Sequence, residues 1–600
     1  MLTECHLSCL IEKQAQLYGK RDVLFSRDDV TGRWQGVSWL DFAGFTRQVA
    51  RALLALGVRV QENVAVFAPN MAECLYVDFG CYGVRAVTIP FYPTSSTAQV
   101  QFMMDDAGVR YLFVGSQLQY DVAFPLFATS ESLERMIIFD RAVVRHAADT
   151  VSMYFDDFLK LGNESYEAAF RQRLDDASPE DIANILYTSG TTGVSKGVIL
   201  THGMYMNAMV ENDKVLPVTE KDVVLNFLPF SHVFERGWSY LCLSEGAQLY
   251  INLRPTEVVH AMKEVRPTCM CAVPRFWEKV YETVMERVSS MSETKRKMIH
   301  SAIEIGKQYR IEYLASGRQA PMWLKMKYKF MDKAVLSTLR EQLGLTRANI
   351  FPTAGAAIAG EVETFVHACG IGMITGYGLT ESTATVTCAR VGEPFSIGSV
   401  GRVIGGVEIK VAEDGEILLR GKSITPGYYR NVRATREVID DEGWFHTGDS
   451  GYVKNGELFL TDRIKDLYKT SNGKYIAPQQ IESKLIVDRY IDQIVVVADR
   501  QKFVSALIVP SYTALETLAN SRGISYGSRS DLCENPAIIQ FIMERIDTLQ
   551  QTFAHYEQVK RITLLPEPFS MSRNELTNTL KVKRKVIFEH YRKEIETMYR

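Results

Sequence analysis

The sequence lacks any apolar run long enough to cross a bilayer. Its most apolar stretch, residues 64–92, is interrupted by polar and charged side chains that are costly inside a membrane, namely Asn70, Glu73, Asp78 and Arg85. A secretory signal is also absent, because acidic and basic residues break any apolar run near the start: Glu4, His6, Glu12 and Lys13. We therefore predict a cytoplasmic protein whose contact with a membrane would be peripheral.

The chain has almost no net charge and few cysteines. Its formal net charge is −3 over 600 residues, so no overall field recruits nucleic acid, and we predict none as a partner. Of the ten cysteines, only Cys269 and Cys271 lie close together. Without a second pair or nearby histidines they make a poor zinc site, and we interpret them as part of a buried strand with reduced thiols.

Length and periodicity indicate an α/β protein of more than one domain. Six hundred residues exceed a single core, and the composition, 46% hydrophobic and 23% charged, is ordinary for a globular protein. Short apolar runs alternate with helical patterns, at 64–68, 84–91, 111–114 and 136–139. This alternation is typical of layered α/β folds with largely parallel strands.

A loop rich in glycine and hydroxyl groups follows an apolar run at residues 182–186. It reads Thr-Ser-Gly-Thr-Thr-Gly-Val-Ser-Lys-Gly over residues 188–197. Glycines allow close backbone approach, inward-facing amides form an anion nest, and Lys196 supplies a charge for a phosphate oxygen. Taken alone, such a loop favours a surface turn, and its spacing differs from the phosphate loop of kinases and GTPases.

The order Thr-Ser-Gly-Thr-Thr-Gly-x-x-Lys-Gly resembles the signature of adenylate-forming enzymes, which include acyl-CoA synthetases, luciferases and peptide-synthetase adenylation domains. Ser195 stands where that family usually has proline, and we expect this to change loop mobility rather than chemistry. Further motifs of the family follow in the right order, at 229–236, 354–357, 376–381, 444–449, 461–466 and 575–585. The resemblance is closest to long-chain fatty acid–CoA ligases.

This resemblance implies an α/β fold in two domains. A large N-terminal AMP-binding and acyl-binding domain would cover residues 1–462, with a helical insert at 289–344, and a small mobile C-terminal α/β domain would cover 466–600. The implied reaction is ATP-dependent and Mg²⁺-dependent activation of a long-chain fatty acid to acyl-AMP, followed by transfer to coenzyme A. The alternatives are a ligase that loads a carrier protein and a catalytically silent lipid-binding homologue.

The resemblance also assigns roles to residues. Lys581, Glu381, His232 and Lys196 would be catalytic, and Thr188 and Glu381 would hold the metal. Nucleotide and cofactor contacts would come from Thr188, Ser189, Gly190, Thr191, Thr192, Gly193, Lys196, Gly355, Ala356, Ala357, Gly376, Tyr377, Gly378, Thr380, Asp449, Arg463, Lys465 and Gly473. Lys465 would be the hinge, and either Phe234 or Arg236 could gate the acyl tunnel. The sequence leaves the oligomeric state open.

Within the insert, residues 321–331 interleave lysines with large apolar groups. On a helix, Lys325, Lys329 and Lys333 would share one face, with Trp323, Phe330 and Met331 roughly opposite. This pattern favours an amphipathic helix packed on its own domain. The alternative is a helix lying on an anionic membrane surface.

Overall fold

The computed structural model describes residues 6–28, 31–189, 195–464, 467–469 and 475–600 of the chain. These residues form 24 strands, β1 to β24 in this order: Asp22–Arg27, Trp34–Ser38, Asn63–Phe67, Val87–Phe91, Tyr111–Val114, Arg135–Ile138, Ser152–Tyr154, Ile182–Ser189, Ser195–Thr201, Val223–Asn226, Gln248–Ile251, Phe351–Thr353, Met373–Tyr377, Thr387–Cys388, Arg402–Val403, Val407–Val411, Glu416–Gly421, Phe445–Lys454, Glu457–Arg463, Tyr468–Lys469, Tyr475–Ile476, Ile491–Val497, Val504–Pro510 and Val559–Leu564.

The same residues form 22 α-helices, α1 to α22 in this order: Leu10–Tyr18, Trp39–Ala55, Ala72–Gly83, Thr97–Ala107, Gln117–Ala123, Phe155–Leu159, Glu167–Asp175, His202–Asp213, Val233–Ser244, Val258–Val265, Pro274–Ser289, Glu293–Lys307, Met322–Met331, Ser337–Leu343, Gly360–Ala368, Val432–Arg436, Pro478–Leu485, Tyr512–Ser521, Arg529–Glu534, Pro536–Leu549, Arg584–His590 and Arg592–Tyr599. Among these described residues, none of the helices is both long and apolar enough to cross a membrane.

The first large sheet has seven strands in the order β7-β6-β5-β3-β4-β8-β9. Neighbouring strands within this sheet are parallel, except β8 and β9, which pair antiparallel. The strands β3, β4 and β5 are buried on both faces, which explains why they read as continuous apolar runs rather than alternating ones. The predicted α/β fold with largely parallel strands is confirmed here.

A second large sheet is built from two four-stranded groups, β10-β11-β1-β2 and β12-β13-β14-β15. Single bridges link the groups through Cys269, which pairs with Val224 on one side and Ile350 on the other. Cys269 and Cys271 are both buried with free thiols, and Cys269 lies in an extended bridge between strands.

Three smaller sheets complete the fold of the described residues. The antiparallel sheet β16-β17-β18-β19 follows the large sheets in the chain, β20 pairs antiparallel with β21, and β22-β23-β24 forms the sheet of the C-terminal region. The C-terminal sheet packs its two faces into separate apolar clusters, with α17 and α20 on one side and α21 and α22 on the other. This region therefore has its own core.

The two regions touch at several points. Arg275 on α11 donates to the carboxylate of Asp492 on β22 over 2.8 Å, and Lys279 lies 3.4 Å from the same carboxylate. On another edge, Asn578 donates to Ser95 over 3.3 Å. These contacts place the loop that carries Lys581 beside the large sheets.

Residues 289–344 are largely helical. They contain α12, α13 and α14, joined by π-helical segments at Gln308–Ala315 and Asp332–Leu336. Their inward side chains, including Ala302 and Leu336, pack in the cluster around Trp277 and Phe351, and Leu324 is also buried.

Candidate active site

The predicted phosphate loop joins β8 to β9. The two strands pair with Thr188 opposite Lys196, so both side chains lie on the same face of the sheet at the two ends of the loop. A side chain at Gly197 would bring its Cβ within 2.7 Å of Ile185 and 3.3 Å of the Tyr187 ring, which only glycine avoids. The tip of the loop, Gly190, Thr191, Thr192 and Gly193, lies outside the described residues.

A tyrosine that the sequence prediction missed connects Lys196 to Glu381. The Lys196 ammonium lies 4.9 Å from the centre of the Tyr428 ring, which is a cation–π distance. The Tyr428 hydroxyl donates to Glu381 Oε1 over 2.9 Å. Burial raises the pKa of the Glu381 carboxyl, and the Tyr428 hydrogen bond opposes that shift. The Tyr428 side chain thus contacts both charged residues, Lys196 at its ring and Glu381 at its hydroxyl.

Tyr428 reaches this position because its segment extends β9. Val198 bridges Tyr428, and the Tyr429 amide donates to the Gly197 carbonyl over 2.7 Å. The sequence signal was available: Pro426 and Gly427 form a turn dipeptide directly before the two tyrosines.

Glu381 sits in a tightly folded turn after β13. A Cβ at Gly378 would lie 1.4 Å from the Ala384 carbonyl oxygen, so the backbone approach there excludes any side chain. Thr383 and Ala384 both have positive φ, at 53° and 77°, a conformation that costs non-glycine residues energy. The Glu381 carbonyl accepts from the Thr425 amide over 2.7 Å. These backbone contacts fix the turn that carries the Glu381 carboxylate.

The other motif residues of this turn line β13 and its exit. A Cβ at Gly376 would lie 3.0 Å from the Thr387 carbonyl oxygen, and Thr380 begins the 3₁₀ turn that carries Glu381. Gly355, with φ of 96°, and the exposed Ala356 and Ala357 follow β12. Because β12 and β13 are parallel neighbours, both loops emerge at the same edge of the sheet.

Tyr377, Asp449 and Arg463 form a hydrogen-bonded chain. The Tyr377 hydroxyl donates to Asp449 Oδ2 over 2.7 Å, and Arg463 Nε lies 3.2 Å from Asp449 Oδ1. The pairing of β18 with β19 sets Asp449 directly opposite Arg463. The predicted base-stacking, ribose-binding and linker residues therefore meet at one point.

Lys581 approaches this chain from the C-terminal region. It closes a turn in which the Lys581 amide donates to Thr577 Oγ1 over 3.0 Å and the Lys581 carbonyl accepts from the Thr577 amide over 2.8 Å. The pKa of Lys581 is lowered to about 8, first by burial of the ammonium and then by Arg463, whereas Asp449 opposes the shift. The residue as a whole is exposed to solvent.

His232 caps the start of α9 and lies within electrostatic range of Lys581. Its Nδ1 accepts from the Phe234 amide over 3.1 Å, which leaves the ring proton on Nε2. Burial, assisted by the Lys581 charge, lowers the pKa of His232 to about 4. The imidazole is therefore neutral at physiological pH and carries one N–H donor.

The two candidate gate residues, Phe234 and Arg236, differ in how firmly their side chains are held. Arg236 is buried in an ion pair with Asp78 over 2.5 Å and donates to the Phe230 carbonyl over 2.9 Å and to the Tyr240 hydroxyl over 2.7 Å. Moving it would expose an unpaired buried carboxylate. Phe234 is only half-buried and makes no such ionic contact among the described residues.

The donors near Thr188 and Glu381 suit a magnesium ion that binds mainly to a nucleotide. Within the described residues, no group of three or more His, Cys, Asp or Glu side chains could hold a metal alone. Mg²⁺ usually takes one or two carboxylates and completes its octahedron with phosphate and water. One hydroxyl and one carboxylate beside a phosphate-type loop match that donor set. Lys465 and Gly473 lie outside the described residues.

Comparison with known families agrees with this geometry. The model of the AMP-binding enzyme family matches residues 11–429, and that of the AMP-binding enzyme C-terminal domain matches residues 465–600. The chain therefore belongs to the AMP-binding enzymes. The family resemblance drawn from the motifs is confirmed.

Curated relatives and solved structures agree. The chain is 30% identical over 577 residues to the long-chain-fatty-acid–CoA ligase FadD15 of Mycobacterium bovis, covering 95% of this chain and 93% of that relative. It is 28% identical over 600 residues to the peroxisomal long chain acyl-CoA synthetase 7 of Arabidopsis thaliana, covering 95% and 83%. The structure of the anthranilate CoA ligase AuaEII with anthranoyl-AMP matches in fold, with a TM-score of 0.75, 18% identity and coverage of 99% and 98%.

Proposed function

We propose that this enzyme activates a long-chain fatty acid with ATP and transfers the acyl group to coenzyme A. One observation carries the proposal: Lys581, from the C-terminal region, lies in electrostatic range of Arg463, Asp449 and His232. A lysine ammonium near a carboxylate that can bind ribose hydroxyls and near a neutral histidine is an arrangement that can serve acyl adenylation. The relatives named as long-chain ligases support the choice of substrate.

In the first half-reaction, a carboxylate oxygen of the fatty acid attacks the α-phosphorus of ATP. The bond from that phosphorus to the bridging oxygen breaks, and pyrophosphate leaves. Charge spreads over the phosphate oxygens in the transition state, so the protein contributes by positioning and by placing cations. Lys581 would stabilise charge at the carboxylate and α-phosphate, and Lys196 would hold the outer phosphates. Mg²⁺, held by Glu381 and Thr188, would neutralise the triphosphate.

The remaining residues would hold the two substrates. Asp449, already bound by Tyr377 and Arg463, would accept hydrogen bonds from the ribose hydroxyls, and the Tyr377 ring would lie along the adenine. The His232 Nε2–H would donate to the acyl carboxylate. Gly355, Ala356 and Ala357 offer a flat backbone without bulky side chains against which the base can lie.

In the second half-reaction, the thiol sulfur of coenzyme A attacks the acyl carbonyl, and AMP leaves. We propose that the C-terminal domain, residues 466–600, swings about Lys465 for this step. The movement would withdraw Lys581 and bring the segment around Gly473 to the pantetheine arm. Hinge closure about a few residues is an established mode of domain motion.

A ligase that loads a carrier protein would share the first half-reaction, so coenzyme A dependence separates the two functions. The test measures AMP release with saturated acids of two to twenty carbons, with and without coenzyme A. We expect release to be greatest with long acids and to require coenzyme A for multiple turnovers. Release that is unaffected by coenzyme A would contradict the transferase step, and no ATP–pyrophosphate exchange with any acid would contradict the adenylation step.

We further propose that the enzyme makes peripheral contact with a membrane through residues 289–344, where ten basic and four acidic side chains lie between residues 289 and 333. The cytoplasmic location stays a prediction.

A further inference from the structure

The helix α13 (Met322–Met331) presents an apolar face to solvent. Met322, Trp323, Met326 and Phe330 are each between 61% and 69% exposed. Isolated exposed apolar residues are common, but four on one short helix are not. The side that faces the protein is already filled, because Leu324 is buried and Tyr328 and Met331 pack into the neighbouring apolar cluster.

The four exposed side chains form one continuous stripe. At 3.6 residues per turn, they span about 100° of the helix surface. The stripe lies opposite the buried Leu324, so α13 is apolar on both its inward and outward sides. An outward apolar face has no role in packing α13 on its own domain, and needs an occupant from outside.

Lysines border the stripe on both sides. Lys325 and Lys329 lie along one edge and Lys327 along the other, and all three are exposed. Among the described residues, no ion pair joins any of these three lysines to a carboxylate. The nearby Asp332 instead pairs with Arg340 over 2.6 Å. The border is therefore positively charged and available to an anionic surface.

The apolar stripe and its lysine border together indicate which kind of partner this face binds. A second copy of the same face would set lysines against lysines, which costs energy. An anionic lipid bilayer offers negative headgroups to the lysines and acyl chains to the apolar stripe. Lysine stems can also lie along the interface while their ammonium groups stay in water.

We propose that α13 is a docking surface for anionic lipid bilayers, in which the Met322, Trp323, Met326 and Phe330 stripe enters the headgroup boundary and Lys325, Lys327 and Lys329 contact the acidic headgroups. The helix then lies in the plane of the interface and does not span it. The docking surface is separate from the adenylation residues, so its test does not depend on the proposed reaction.

The test uses the full chain with vesicles of phosphatidylcholine alone and with vesicles containing one quarter phosphatidylglycerol. Cosedimentation should show binding to the anionic vesicles, weaker binding to the neutral ones, and loss of binding at 0.5 M salt. Of the six tryptophans, Trp323 is 61% exposed, Trp34 is half-buried, and Trp39, Trp238, Trp277 and Trp444 are buried. Tryptophan emission should therefore shift to shorter wavelength with anionic vesicles, and the shift should disappear in Trp323→Gln.

The double variant W323Q/F330Q should lower vesicle binding by about tenfold or more, because it removes two large apolar anchors. K325Q/K329Q should lower binding to anionic vesicles by a smaller factor and leave the weak binding to neutral vesicles unchanged. The matched control is Leu118→Gln, since Leu118 is 63% exposed on a different helix, α5. This control should bind as the unaltered chain does.

Three results would overturn the proposal. They are the absence of vesicle binding at 0.1 M salt, binding that W323Q/F330Q does not change, and a protein dimer that W323Q/F330Q dissociates. The last result would assign the stripe to a contact between copies. Circular dichroism of each variant checks that α13 remains folded, and glutamine is chosen because it is a good helix former.

Discussion

The three charged side chains that would act on ATP are held in two different ways. Glu381 and Lys196 belong to the large domain, where Tyr428 contacts both and the backbone around Gly378 fixes the turn. Lys581 lies on a loop of the C-terminal region, which hydrogen-bonds to the large domain through Asn578 and Ser95. Glu381 and Lys196 are therefore fixed within the large domain, whereas Lys581 is brought to the site by a loop of the C-terminal region.

This difference matches what each half-reaction requires. Phosphate and metal must be held throughout, and a pre-organised corner does so without reorganisation during the reaction. In the proposed mechanism Lys581 is needed in the first step only, and a loop held to the large domain by a hydrogen bond such as that from Asn578 to Ser95 can leave at low cost. The predictions below test this division, from the largest expected effect to the smallest.

Lys581→Ala should lower the rate of acyl-adenylate formation by about a hundredfold or more, because it removes a cation from the transition state. Formation of acyl-CoA from supplied acyl-adenylate should change by less than about twofold. ATP–pyrophosphate exchange measures the first step and thioester formation the second. Lys585→Ala is the matched control, since Lys585 is exposed in the same basic run. An equal loss in both steps would refute the division.

Glu381→Gln should reduce adenylation by about ten to a hundredfold and raise the Mg²⁺ concentration needed for half-maximal rate. Tyr428→Phe removes only the hydrogen bond to Glu381 and should cost less than about tenfold. The measurement is pyrophosphate exchange over a range of Mg²⁺ concentrations. If Tyr428→Phe were the more damaging change, Tyr428 would have a role beyond holding the carboxylate.

The pH profile of adenylation should report the Lys581 ammonium. Its pKa of about 8 in the free enzyme means that the cation is present below that pH and is lost above it. The kcat/KM for ATP should therefore fall by about tenfold per pH unit above an inflection near pH 8. The variant Lys581→Arg, whose side chain stays charged, should lack this inflection. A falling limb retained in that variant would assign the titration to another group.

Asn578→Ala should have the smallest effect, a reduction of adenylation by about two- to fivefold with no change in the thioester step. The substitution removes the hydrogen bond to Ser95, which is partly exposed and so contributes little free energy. Ser95→Ala should give the same result, and the double variant should be no worse than either single one. A larger loss in the double variant would show that the two residues act separately.

Much of the spatial arrangement of the candidate site was predictable because its residues are close together in motifs or at strand ends. Tyr377 and the glycines around it follow a strand, and Asp449 and Arg463 meet because β18 and β19 pair in register. Tyr428 was missed because its hydrogen bond to Glu381 spans 47 residues of sequence. Long-range contacts of this kind have no local periodicity from which to read them.

The same reasoning failed in part for α13. The sequence favoured a helix packed on its own domain with Trp323, Phe330 and Met331 on one face. The structure confirms a packed side, but Met331 belongs to it while Trp323 and Phe330 are exposed. A pattern of lysines and apolar residues does not reveal which of two apolar arcs meets the protein. That choice depends on how neighbouring helices are placed.

The pairing of β8 with β9 determines which face of the sheet each side chain occupies, as well as where along the strand it lies. Successive side chains of a strand point to opposite faces, and Lys196 shares its face with Thr188 only in the observed register. One residue inserted between Lys196 and Gly197, with the rest of β9 kept in register, would send the ammonium to the opposite side of the sheet, into the layer that holds Ile185 and Tyr187. The second strand of this hairpin can therefore change by substitution but not in length without displacing Lys196.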